Sequence, residues 1–86
     1  MAKKIPKLPK YWWTGDLHEF AKKAKLKVPQ RPFVGNYNLE WIRFGIESEM
    51  EHTTNWRVAA VIAANHLDEH PAYYAALKKM EKELGI

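Results

Sequence analysis

The polar residues best suited to chemistry lie between His66 and His70, where the chain reads His-Leu-Asp-Glu-His. Two histidines four residues apart share one face of a helix, and with the intervening glutamate they have the spacing of inverted zinc-peptidase motifs. A glutamate or histidine from residues 49–52 could supply a third ligand. However, Pro71 follows directly, which puts the second histidine at a helix end. We therefore predict no metal, no cofactor and no enzymatic activity, with a metal-dependent hydrolase as the enzymatic alternative.

The same residues have a structural use, because they fall where predicted helices end. Buried helix ends leave backbone groups without partners, and polar side chains commonly satisfy them. A fully bonded polar group of this kind favours one helix arrangement over others. We therefore predict a polar clamp between helix ends. Its members are Glu49, His52, His66, Glu69 and Tyr74.

Length and composition exclude several classes of protein. The chain has 86 residues, which is the size of one small domain. It contains no cysteine, so disulfides, thiolate metal sites and a cysteine nucleophile are excluded. The longest uncharged run covers residues 58–67, which is too short to span a bilayer. The start of the chain lacks the apolar region of a secretory signal. We therefore expect no membrane partner.

Hydrophobic periodicity and capping residues predict four short helices. The first follows Asp16 and ends before Pro29, and the second follows Asn38 and runs to about Glu51. The third covers about Asn55 to His70, and the fourth runs from Pro71, as its first residue, to about Leu84. These elements predict an all-α fold, a compact bundle of about four short helices with an extended basic N-terminal arm.

The third and fourth predicted helices differ in their apolar pattern. The third is apolar nearly all round, so we expect it to be the central, most buried helix. In the fourth, apolar residues recur at helical spacing and predict a stripe that faces the core. The stripe consists of Tyr73, Leu77, Met80 and Leu84.

The N-terminal segment differs in composition from the rest of the chain. Residues 1–32 hold nine Lys/Arg against two Asp/Glu, net +7, whereas residues 33–86 hold five against eight, net −3. Pro6 and Pro9 favour an extended backbone. We therefore divide the chain into an arm with an aromatic clasp, residues 1–13, and a helical domain, residues 14–86. The predicted partner-binding residues are Lys3, Lys4, Lys7, Lys10, Tyr11, Trp12 and Trp13.

Residues 49–81 resemble a small helical domain family of unknown function that is common in bacteriophage and mobile-element proteins. The shared pattern is an E-x-E-H step, a short loop and then I-A-x-x-H-L-x-E-x-P-x-Y-Y-x-x-L-x-x-M-E. Residues 17–24 resemble the front part of the family. The resemblance covers about two thirds of the chain and implies an all-α domain and a phage or mobile-element setting, but no reaction. The matching residues are Glu49, Glu51, His52, Ile62, Ala63, His66, Leu67, Glu69, Pro71, Tyr73, Tyr74, Leu77, Met80 and Glu81.

These observations favour a non-enzymatic structural or accessory protein of a phage particle or similar assembly. Its partners would be protein subunits, bound through the arm, and its location the virion or the host cytoplasm. One alternative is a nucleic-acid-binding module, in which the basic front half neutralises phosphates and Trp12 or Trp13 stacks on bases. Another is an anti-defence protein that binds a host enzyme.

Overall fold

The computed structural model describes residues 8–85, which form an all-α bundle as predicted. The helices are α1 (Leu17–Ala24), α2 (Leu39–Glu49), α3 (Trp56–Glu69) and α4 (Tyr73–Glu83), with short 3-10 turns at Trp12–Thr14 and Val34–Asn36. Within residues 8–85 there is no strand, only a single bridge between Asp16 and Phe33. None of the helices described is long and apolar enough to cross a membrane.

The first three helices begin at side-chain caps, which confirms the starts predicted from Asp16, Asn38 and Asn55. In each case a side-chain oxygen of the cap accepts a bond from a backbone amide in the first helical turn. The donors are the amides of Glu19, Trp41 and Arg57, at 2.9, 3.0 and 3.0 Å. Each such cap stabilises its helix by about 1 kcal/mol.

The start of α4 differs from the prediction, since the helix begins at Tyr73 and not at Pro71. His70 has an extended backbone, with φ −142°, as expected before a proline. The amide of Tyr73 donates to the carbonyl of His70 at 2.8 Å, which closes a turn. Pro71 therefore lies in that turn, and the helix starts two residues later.

The core is centred on α3, which confirms the prediction that this helix is the most buried. Seven of its residues are buried, and the core they belong to also takes side chains from α1, α2, α4 and the turn at Trp12. Alanine is frequent on this helix, so its neighbours approach its backbone closely. The buried residues of α3 are Ala59, Ala60, Val61, Ala63, Ala64, Asn65 and Leu67.

The prediction for the inward face of α4 is wrong at three of its four residues, since only Leu77 packs against the core. Tyr74 is fully buried, whereas Tyr73, Met80 and Leu84 are 40, 54 and 66% exposed. The buried face therefore lies one residue, or about 100°, around the helix from the predicted stripe. The reason is that α4 packs on α2 and α3 through the ring of Tyr74, and Leu77 is half-buried at the edge of that contact.

A glycine in the middle of α2 makes room for this ring. A Cβ atom on Gly45 would lie 2.5 Å from Cε2 of Tyr74 and 2.8 Å from Cβ of Ala63, much closer than atoms approach without a shift. Both neighbours are buried, so neither has free space to move into. Three helices thus meet at one point where only a hydrogen atom fits.

We predict that Gly45→Ala destabilises the protein by up to about 2 kcal/mol. The substitution gains about 1 kcal/mol of helix propensity, but overpacking a close contact between three helices costs about 1–3 kcal/mol. Thermal unfolding followed by circular dichroism should give a lower melting temperature. Ser48→Ala, one turn further along the same helix, serves as the control and should leave it nearly unchanged. A melting temperature of Gly45→Ala at or above the wild-type value would contradict the close contact.

Candidate functional site

A polar cluster joins the ends of three helices. Glu49 is the last residue of α2, His66 lies in the last turn of α3 and Tyr74 in the first turn of α4. The Tyr74 hydroxyl donates to Oε2 of Glu49 at 3.3 Å and lies 3.0 Å from Nδ1 of His66. The hydroxyl has only one proton to donate, so both contacts are hydrogen bonds in the tautomer of His66 that carries its proton on Nδ1 and donates to the Tyr74 oxygen. All three groups are then bonded in one chain.

Burial makes this cluster a structural one. Burial raises the pKa of Tyr74 far above its ordinary value, and the Glu49 carboxylate beside it adds to the effect. The side chains of His66 and Glu49 are only 33 and 17% exposed. The ring of Tyr73 lies 4.6 Å from that of His66 and covers it on one side. The cluster therefore holds helix ends together and offers little surface to a ligand.

Two residues predicted to belong to the clamp lie elsewhere. His52 is exposed in the turn after α2. A carboxylate oxygen of Glu69 lies 3.4 Å from Nζ of Lys27, and the two side chains form an exposed ion pair. The structure thus brings together three of the five predicted residues. His52 lies beyond the end of α2, and Glu69, the last residue of α3, is paired with Lys27 of the loop after α1.

The His-Leu-Asp-Glu-His motif does not form a helical face. His66 is helical and bonded to Tyr74, but His70 lies beyond the end of α3 with an extended backbone. Across residues 8–85 no group of three or more histidines and carboxylates is arranged to hold a metal ion. The zinc-peptidase spacing in the sequence therefore has no geometric counterpart.

A second polar network, which the sequence did not predict, ties the loop after α1 to α3. The Tyr37 hydroxyl donates to Asp68 at 2.9 Å and accepts from the amide of Arg31 at 3.2 Å. The amide of Gln30 donates to the other oxygen of Asp68 at 2.8 Å. Burial raises the pKa of Tyr37 to about 12, and bonding to Asp68 contributes. No local pattern identifies bonds between residues more than thirty positions apart.

The aromatic residues that follow the Lys/Pro part of the arm, predicted to form a clasp, lie in and next to the 3-10 turn at Trp12–Thr14. Trp12 is 9% exposed and belongs to the core, whereas Tyr11 and Trp13 on either side are 59 and 40% exposed. The amide and the hydroxyl of Thr14 both bond to the carbonyl of Tyr11, at 3.0 and 2.7 Å. The predicted arm residues Lys3, Lys4 and Lys7 lie outside the described residues, and Lys10 is exposed with Nζ 5.6 Å from the Tyr11 ring centre.

A cavity of about 570 Å³ lies beside this aromatic turn, between the first turns of α1 and α3. Its walls include the aromatic rings of Tyr11, Phe20 and Trp56. Three cations and two carboxylates also line it, which are Lys10, Lys23, Arg57, Asp16 and Glu19. Aromatic rings and basic groups therefore share one face of the molecule.

Comparison with known proteins places the helical part of the chain in a family. A family model described as a protein of unknown function (DUF5661) matches residues 17–83. The chain belongs to the DUF5661 family. The DUF5661 match begins at the first residue of α1 and ends at the last residue of α4, so the aromatic turn lies outside it. No curated protein and no solved structure matches the chain.

We predict that Tyr74→Phe lowers the free energy of unfolding by about 1–2 kcal/mol. The ring still fits against Gly45, but the Glu49 carboxylate and the His66 ring lose their shared partner while largely buried. Urea denaturation measures the change. Tyr73→Phe is a matched control, because that neighbouring ring is exposed, and should change the free energy by less than about 0.5 kcal/mol. Equal effects of the two substitutions would contradict the bonded cluster.

We also predict that stability falls steeply above pH 10. The pKa values of Tyr37 and Tyr74 are raised in the folded state, so folding keeps protons that the unfolded chain loses near pH 10. The stability that these two tyrosines contribute is fully present below that pH. It is lost as the pH rises towards their folded-state pKa values, and the pKa of Tyr37 is about 12. In this range the free energy of unfolding should fall with rising pH by up to about 1.4 kcal/mol per pH unit for each tyrosine. Urea denaturation between pH 9 and 11.5 measures it, and a slope unchanged in Tyr37→Phe would contradict the prediction.

Proposed function

We propose that the protein is a non-enzymatic structural or accessory protein of a phage particle or similar assembly, and that it binds a protein subunit through the aromatic turn. The observation that carries this proposal is the arrangement of three consecutive aromatic residues. Trp12 is inserted into the core, and this fixes Tyr11 and Trp13 on the surface at 59 and 40% exposure. The body of the domain thus presents two large rings in a set position.

The chemistry of this surface suits protein recognition. Tryptophan, tyrosine and arginine are the residues that dominate binding energy at protein interfaces. Here Tyr11 and Trp13 lie in edge contact, with ring centres 5.6 Å apart, and Tyr11 shares the adjoining cavity with Arg57. Because Trp12 holds the turn before binding, little conformational entropy is lost when a partner docks.

The phage setting is supported by the sequence of residues 49–81, which resembles a family common in phage and mobile-element proteins. The family that matches the chain carries no assigned activity. A binding role is also consistent with the polar cluster at Glu49, His66 and Tyr74, whose buried groups bond to one another. The polar groups of this cluster are therefore engaged with one another, whereas Tyr11 and Trp13 of the aromatic turn are exposed.

We predict that Tyr11→Ala and Trp13→Ala weaken incorporation into particles of the source phage or element, each by roughly 30-fold in affinity, which corresponds to about 2 kcal/mol. Quantitative mass spectrometry of purified particles measures the copy number of each variant. Leu39→Ala is a matched control, since Leu39 is a 50% exposed large side chain on another part of the surface. Circular dichroism should show all three variants folded.

Two outcomes would contradict the proposal. One is absence of the wild-type protein from particles when it is expressed in infected or induced cells. The other is incorporation of both aromatic variants at the level of the Leu39→Ala control, which would move the contact to the helices. Deletion of residues 1–10 separates the contribution of the lysines from that of the aromatic turn.

A nucleic-acid-binding role is the second candidate, because lysines on α1 are exposed next to the same cavity. Lys22 and Lys23 are exposed on α1, Lys25 is exposed at its end, and Lys10 and Arg57 line the cavity. Anisotropy of a fluorescein-labelled oligothymidine separates this role from protein binding. If the protein binds nucleic acid, the logarithm of the binding constant should fall linearly with the logarithm of the salt concentration, with a slope of about −0.7 for each phosphate neutralised. The slope should be smaller in Lys22→Gln/Lys23→Gln and unchanged in Lys79→Gln/Lys82→Gln.

A further inference from the structure

The apolar stripe of α4 faces away from the core and is the starting point of the inference. Tyr73 and Met80 on the helix and Leu84 at its C-terminal cap are 40, 54 and 66% exposed. Tyr73 and Met80, together with their neighbours, line an open groove of about 510 Å³. The residues lining it are His70, Ala72, Tyr73, Ala76, Leu77 and Met80. No charged side chain other than a histidine is among them.

The size of this stripe limits what can cover it. Taking roughly 200 Å² for a large side chain, the three exposed fractions leave roughly 300 Å² of apolar surface on each molecule. This is the range of the largest apolar patch on an ordinary monomer, and such patches are often functional. Two such patches facing each other bury roughly 600 Å², which is below the 1,200 Å² of a small stable interface. These three side chains by themselves therefore give a contact of the size found in weak, reversible association.

The order of side chains along the stripe is self-complementary. Beside Tyr73, one row of this face at four-residue spacing carries the small residues Ala72 and Ala76, followed by the long residues Met80 and Leu84. We propose that α4 packs antiparallel against α4 of a second copy of this chain. A two-fold axis that sets Ala76 opposite Met80 also sets Ala72 opposite Leu84, so long side chains of each copy fill the space above small ones of the other.

The same pairing places two unpaired polar groups together. Within residues 8–85 neither the Tyr73 hydroxyl nor the Glu83 carboxylate has a hydrogen bond or ion pair. Glu83 is two turns beyond Ala76 and so lies on the same side of α4. With Ala76 opposite Met80, Tyr73 of one copy is level with Glu83 of the other. Because the pairing is two-fold symmetric, this hydroxyl–carboxylate bond occurs twice in the dimer.

Self-association of this strength is reversible and depends on concentration. The chain has a mass of 10.1 kDa, and sedimentation equilibrium from about 10 µM to about 1 mM should show the average mass rising towards twice that value. Met80→Glu should weaken association at least tenfold. Lys82→Gln makes the same change in net charge on the opposite side of α4 and should associate like the wild type. Melting temperatures of both variants check that each is folded.

Cross-linking tests the antiparallel register, since the chain contains no cysteine and an introduced one reports a single position. In a mixture of Ala72→Cys and Leu84→Cys chains, disulfides between the two variants should form more often than random pairing of the chains predicts. An excess of disulfides between identical variants would overturn the antiparallel pairing.

Three results would overturn self-association itself. They are a monomeric mass throughout the concentration range, an undiminished association in folded Met80→Glu, and an equal loss in Lys82→Gln. A monomer would leave the groove to a helix of another protein. Deletion of residues 1–10 should not affect the result, so failure here is distinct from failure of binding through the aromatic turn.

Discussion

The close contact at Gly45 is the constraint on which the rest of the structure depends. The ring of Tyr74 packs where a side chain on Gly45 would otherwise lie, with Ala63 of α3 on the third side. Since α4 has no side-chain cap, the position of this ring fixes the rotation of the helix. That rotation brings the Tyr74 hydroxyl to Glu49 and His66, and it turns the apolar stripe outward. One missing side chain thus sets the core, the polar cluster and an exposed surface together.

Much of the fold follows from local signals in the sequence. The caps at Asp16, Asn38 and Asn55 predict where three helices begin, because a cap bonds to an amide two or three residues away. The apolar character of α3 predicts its central position, because a helix without a polar face is stable only when it is buried on all sides. These features depend on neighbours in the chain, which the sequence displays directly.

The features that the sequence did not predict depend on distant partners. The stripe from Tyr73 to Leu84 has the period of a buried face, and only the space above Gly45 decides that Tyr74 points inward in its place. Three members of the polar cluster were predictable because they fall at helix ends. The bonds from Tyr37 and Gln30 to Asp68 were not, since neither the loop nor the helix carries a pattern that requires the other.

The carboxylate of Asp68 has a consequence for how the molecule comes apart. It is bonded to two points of the loop between α1 and α2, and Asn65 holds the carbonyl of Lys27 at 2.8 Å one turn earlier. These bonds, together with the core contacts of Trp12, Leu17 and Ala21, join the front of the chain to a hairpin of α2 and α3 that contains the three-helix contact. When the bonds of Asp68 and Asn65 to the loop break, the part of the chain before α2 can open while the hairpin of α2 and α3 persists. This is the pattern of sub-global unfolding seen in hydrogen exchange. We therefore expect the amides of residues 25–38 to exchange with solvent in a step separate from those of α3.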